Sequence, residues 1–164
     1  MARTNVIILM ATFNDWDSIS ELLPKIDDVL HGMGATGQVV IVDDGSTEFA
    51  GRETVGGQNF KAITKVECVE LFRNQGNQRA NAVGLAHCNA NIDADYLVLM
   101  DSDQEDKPEY ISQLIETCTK HDGRKIVFAA RSERSEGAAF KFFYGAYQRL
   151  YKLLTGMSIT IGNF

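Results

Sequence analysis

The chain has 164 residues, 45% of them hydrophobic and 23% charged, with a formal net charge of −6. That length can bury a core without disulfide or metal staples, and the acidic balance argues against a nucleic-acid partner, because no basic stripe is available for phosphates. The longest apolar run, "VIILMA" (6–11), is far short of the roughly 20 residues needed to span a bilayer and is also too short for a secretory signal. A cytoplasmic chain, or one that touches a membrane only from that side, is expected.

In chain order, "NVIILMA" (5–11), "QVVIVD" (38–43), "VECVELF" (66–72), "YLVLM" (96–100) and "KIVFAA" (125–130) read as strands. All are near-continuously apolar, as strands covered on both faces are. Residues 17–31, 77–88 and 108–121 have helical spacing and length. The Gly-rich polar stretch 46–64 reads as a long loop. This alternation predicts an α/β sandwich with a mainly parallel central sheet flanked by helices. Ligands of such sheets bind beyond the carboxyl ends of the strands, where "ATFND", "DDGST" and "DSDQED" all fall.

His31, His87 and His121 each sit near an expected helix end, where a cationic or donor side chain is favoured. Cys68, Cys88 and Cys118 form no CxxC pair and read as reduced core thiols.

The chemistry concentrates in the acidic run Asp101, Asp103, Glu105 and Asp106. Carboxylates crowded in this way repel one another unless a cation sits among them. In an extended segment residues two apart point to one side, so Asp101 and Asp103 can converge. Oxygen donors of this kind suit Mg²⁺ or Mn²⁺. A solvated acidic loop is the alternative. Asp43 and Asp44 end the second strand before a Gly45-Ser46 turn, where a carboxylate could accept from a nucleobase imide or ribose hydroxyl. In "RNQGNQRANAVGLA" (73–86) the amide end of a helix and Arg79 could face a phosphate, although close helix–sheet packing alone would explain its Gly and Ala. No GxGxxG follows the first strand and no GxxxxGK[ST] occurs, which disfavours a dinucleotide site and excludes a P-loop.

Taken together, "ATFND", "VDDGST", "NQGNQRANAVGL" and "LMDSDQEDKPE" resemble the inverting family 2 glycosyltransferases of the GT-A fold. The stretch 128–164 looks like the branch that makes polyprenyl-phosphate sugars, the dolichol-phosphate mannose synthases and bactoprenol glucosyltransferases. The resemblance implies one catalytic domain over 1–164, shortened at its C-terminal end relative to the family. It also implies a hexose moved from a UDP- or GDP-linked donor to a polyprenyl phosphate with inversion. By resemblance Phe13, Asp15, Asp44, Arg79 and Ser102 contact the nucleotide sugar, and Asp101 and Asp103 hold a metal–diphosphate. Glu105 matches a further metal contact, and Arg131 and Arg134 face the acceptor phosphate, Arg131 with a catalytic role.

The family's Gly-Asp-Phe is Gly162-Asn163-Phe164 in this chain. A phosphate monoester, anionic at neutral pH with a second pKa near ~6, tolerates loss of a carboxylate base better than a hydroxyl acceptor does. Residues 140–154 place Phe140, Phe143, Tyr147, Leu150 and Leu154 on one helical face, which either packs in the core or lies peripherally on anionic lipid. A hydroxyl (polysaccharide) acceptor and a non-catalytic nucleotide-sugar-binding fragment are the alternative readings.

Overall fold

The computed structural model describes residues 3–123 and 125–129. Four strands form one all-parallel sheet in the order β3-β2-β1-β4. They are β1 (Asn5–Thr12), β2 (Thr36–Asp43), β3 (Ile63–Glu70) and β4 (Tyr96–Leu99). The helices are α1 (Trp16–Gly32), α2 (Arg52–Gly57), α3 (Asn77–Asn91) and α4 (Tyr110–Thr119).

The two central strands dictate the layering. β1 and β2 pair in unbroken register from Asn5 opposite Thr36 to Thr12 opposite Asp43. Because strand side chains alternate, Val6, Ile8 and Met10 face one layer and Ile7 and Leu9 the other. The first layer holds Trp16, Ile19, Leu22, Leu23, Ile26 and Leu30 of α1, at the three- and four-residue spacing of one helix face, with Ile111 and Ile115 of α4. The second layer is thinner and sets Ile7, Leu9, Val40 and Val42 against Ala80 and Cys88 of α3. α3 comes close because Gly84 has no side chain: a Cβ there would lie 2.5 Å from Leu9 Cδ1 and 2.8 Å from Val42 Cγ2. Close packing therefore accounts for that glycine, as the sequence allowed.

Several expectations need correction. β3 runs over 63–70 rather than 66–72, and it and β4 are not covered on both faces among the described residues. Lys65 and Glu67 alternate with apolar residues there because an outer strand has less to pack against. The expected fifth strand is not formed over 125–129, and Ile126 and Phe128 are 83% and 84% exposed. Apolar character does not suffice for a strand without a backbone partner, and residue 130 lies outside the described residues. The expected loop 46–64 contains α2, which is tied down by Arg52. The Arg52 guanidinium lies 5.1 Å from the Trp16 ring and 5.4 Å from the Phe49 ring, and it pairs with Glu70. Of the cysteines only Cys88 is buried, while Cys68 is exposed on β3. His87 is no cap: its Nε2 meets Glu67 Oε1 at 2.9 Å. His31 does sit in the last turn of α1.

One buried acid went unanticipated. Asp27 of α1 is 4% exposed and accepts from three successive backbone amides, Lys61 (2.9 Å), Ala62 and Ile63 (2.8 Å each), which lead into β3. Burial on its own would raise this carboxyl, but the amide donors and the Lys61 charge outweigh it and hold the group below its usual range. Among the described residues no helix is long and apolar enough to cross a membrane.

Candidate functional site

A cavity of about 250 Å³ opens at the carboxyl ends of β1, β2 and β4, lined by Ala11, Thr12, Phe13 and Asp15, by Asp44, by Asn74, Gly76 and Asn77, and by Asp101, Ser102 and Asp103. β1 has β2 on one side and β4 on the other, so the crevice forms where the strand order reverses.

Each wall has its own fastening. After β1 the chain turns at Asn14, a non-glycine residue with φ of 60°, which is an unfavourable conformation. Its Oδ1 accepts from Thr47 N (2.7 Å) and Glu48 N (3.0 Å), and its own N–H donates to Ser46 Oγ (2.9 Å). These bonds hold Phe13 at the mouth, 47% exposed, and carry Asp15 onto the cavity wall. Asp15 Oδ2 lies 3.5 Å from Ser102 Oγ, which donates to it.

Asp44 is 3% exposed, and its two oxygens accept from consecutive amides, Gln75 N at 2.7 Å and Gly76 N at 2.8 Å. The carboxylate thus fastens the loop ahead of α3 to the end of β2. Close approach of the two loops requires Gly45, whose φ is 77° and whose Cβ would sit 2.8 Å from backbone atoms of Arg73 and Asn74. α3 then begins at the cavity with Asn77. Its amide Nδ2 is 3.4 Å from Asp101 Oδ1, and its Oδ1 accepts from Asn81 Nδ2 at 3.0 Å.

The segment after β4 is a bend rather than an extended strand. Asp101, Ser102 and Asp103 all line the cavity, so strand alternation is not what brings the two carboxylates together. The turn is closed internally: Asp101 N donates to Asp106 Oδ2 (3.0 Å) and Glu105 N to Asp103 Oδ1 (2.9 Å).

Of the residues singled out from sequence, Phe13, Asp15, Asp44, Asp101, Ser102 and Asp103 line this cavity together. Arg79 and Glu105 are exposed and do not line it. Arg131, Arg134 and the 140–154 stretch lie outside the described residues. Sequence reasoning missed Thr12, Asn74 and Asn77. Asn74 and Asn77 flank the glycine that opens α3, which was the available signal. The Thr12 hydroxyl is buried without a hydrogen-bond partner among the described residues.

The lining residues carry four carboxylates and no Lys, Arg or His. Among the described residues no three His, Cys, Asp or Glu side chains form a ready cation cage. The donor set instead fits an ion such as Mg²⁺ that takes one or two carboxylates and completes its shell with phosphate oxygens and water. The uncapped amino end of α3, with no acidic residue in its first turn, supplies the positive end of a helix dipole on the same cavity.

Residues 7–158 match the profile described as Glycosyl transferase family 2. Among curated proteins the chain is similar to an undecaprenyl-phosphate 4-deoxy-4-formamido-L-arabinose transferase of Klebsiella pneumoniae (strain 342), 26% identical over 154 residues, 94% of this chain and 45% of that one. The protein of the same name from Edwardsiella ictaluri (strain 93-146) is 30% identical over 131 residues, 80% of this chain and 38% of that one. The chain therefore spans less than half the length of these relatives. Among solved structures, S. aureus TarS 1-349 in complex with UDP-GlcNAc superposes with a TM-score of 0.54 at 18% identity, covering 79% of this chain and 39% of that one. That likeness speaks for the fold alone. With its four-stranded parallel sheet, its flanking helices and a family match over nearly its whole length, the chain has the GT-A fold and belongs to glycosyl transferase family 2.

Proposed function

We propose that residues 1–164 belong to one catalytic domain of a glycosyltransferase that takes a sugar from a nucleoside diphosphate and delivers it, with inversion, to a polyprenyl phosphate. The observation that carries the donor half is the convergence of Phe13, Asp15, Asp44, Asp101, Ser102 and Asp103 on one cavity at the strand-order reversal. The polyprenyl-phosphate acceptor is supported by the names of the relatives, which are undecaprenyl-phosphate transferases.

In this reading the exposed ring of Phe13 stacks on the base. Asp15 and Asp44 face the ribose and base, and the amide end of α3 faces the diphosphate. Asp101 and Asp103 would hold a Mg²⁺ or Mn²⁺ ion, with Glu105, two residues beyond Asp103 and outside the cavity lining, reaching it at most as an outer contact. Such an ion would neutralise charge building on the leaving diphosphate. The acceptor phosphate attacks the anomeric carbon from the face opposite the leaving group, gripped by Arg131 and Arg134, whose guanidinium groups match phosphate bidentately. The protein works at the cytoplasmic face of a membrane, reached peripherally through 140–154.

The test is transfer of radiolabelled sugar from a UDP- or GDP-sugar to undecaprenyl phosphate in detergent, by a polypeptide of the relatives' full length. Arg131→Ala should raise the KM for polyprenyl phosphate far more than for the sugar nucleotide. Equal loss for both substrates, or transfer to a polysaccharide hydroxyl instead, contradicts the acceptor assignment.

A further inference from the structure

We propose that Gln104 is a positioning residue that ties the 101–106 turn to α1 and thereby sets where Asp103 stands in the cavity. The inference rests on the donor reading given above for what Asp103 then does.

Gln104 is a non-glycine residue with φ of 66°. Such conformations persist only where surrounding contacts impose them, and they gather at working sites. The imposing contacts are its own side chain. Gln104 Oε1 accepts from Lys25 Nζ at 2.8 Å, and Gln104 Nε2 donates to Glu21 Oε2 at 3.0 Å. Glu21 and Lys25 stand four residues apart on α1, one turn of one face. A primary amide is the group that satisfies both at once, donating to the anion and accepting from the cation. A carboxylate or an ammonium at 104 could satisfy only one of them.

The backbone consequence lies next door. With residue 104 left-handed, the chain folds back so that Glu105 N reaches Asp103 Oδ1 at 2.9 Å, which orients that carboxylate. Gln104 does not line the cavity, so its effect passes through Asp103. The opposite wall repeats the device. Asn14 is also left-handed, is held by its side chain, and directly precedes the cavity-lining Asp15.

The test compares wild type, Gln104→Ala, the pair Glu21→Ala/Lys25→Ala, and all three substitutions together. In the ligand-free chain, hydrogen exchange at the Glu105 amide should speed up on the order of fivefold in each variant, the scale of two exposed charge-assisted bonds. At a fixed concentration of whichever of UDP and GDP binds, the Mn²⁺ concentration giving half-maximal binding should rise by a similar factor. The triple variant should be no worse than Gln104→Ala alone, because both changes break one linkage. Unchanged Glu105 exchange in Gln104→Ala overturns the proposal, and so do losses that simply multiply in the triple variant. If wild type binds neither UDP nor GDP with Mn²⁺, the donor reading fails by itself, and the exchange measurement still decides whether the tie exists.

Discussion

Asp44→Asn makes the most informative single change, because Asp44 belongs both to the fold and to the cavity wall. The substitution keeps the volume but leaves one oxygen where there were two. One of the amides of Gln75 and Gly76, now bound at 2.7 and 2.8 Å, would face an –NH₂ group instead of an acceptor. The lost charge-assisted bond is worth about 1.5–3 kcal/mol, and a buried donor left without a partner costs about 1–3 kcal/mol. Partial relaxation makes about 2–4 kcal/mol a reasonable total. For a chain of this size each kcal/mol moves Tm by roughly 2–4 °C, so the variant should melt roughly 5–15 °C below wild type with no ligand present. Calorimetry gives that shift, and hydrogen exchange should localise the loosening to residues 75–77. A Tm within about 1 °C of wild type, with exchange at Gln75 and Gly76 unchanged, would refute the claim that this carboxylate fastens α3 to the sheet.

Three further outcomes follow from the same geometry. Gly45→Ala should destabilise by at least about 1–3 kcal/mol in denaturant titration, since a left-handed residue gains a Cβ against the Arg73–Asn74 backbone. Asp27 has a folded-state pKa below its unfolded value near ~3.9, so its stabilisation is present above the unfolded value and is lost as pH falls through the folded one. The stability gap between wild type and Asp27→Asn should therefore be full at neutral pH and shrink below about pH 4, and a gap that grows with acid would contradict this. Finally, Asp103→Asn should weaken Mn²⁺-dependent nucleotide binding more than Glu105→Gln does, because Asp103 lines the cavity and Glu105 does not; the reverse order in a calorimetric titration would overturn that ranking.

How much of this was legible in the sequence follows from where each feature gets its stability. β1 and β2 could be read because central parallel strands are buried on both faces, and that burial writes itself as an apolar run. β3 carries Lys65, Glu67 and Glu70 on an outer strand, which blurred its start by three residues. α2 has a single buried residue, Val55, and two glycines, so the Arg52 contacts with Trp16, Phe49 and Glu70 define it rather than any periodicity. The cavity carboxylates were legible because they cluster at strand ends. Asp27 and Gln104 were not, since their partners lie 34 to 36 and 79 to 83 positions away, and nothing local marks such pairings.

The central claim is that the cavity at the ends of β1, β2 and β4 binds a nucleoside diphosphate through carboxylate-held metal. Isothermal titration of the chain with UDP and with GDP, each in Mn²⁺ and in EDTA, tests it most directly. The account predicts saturable binding of one nucleotide in Mn²⁺ that weakens at least tenfold in EDTA and in Asp103→Asn. Absence of binding to either nucleotide, or binding indifferent to Mn²⁺ and to Asp103, would contradict it.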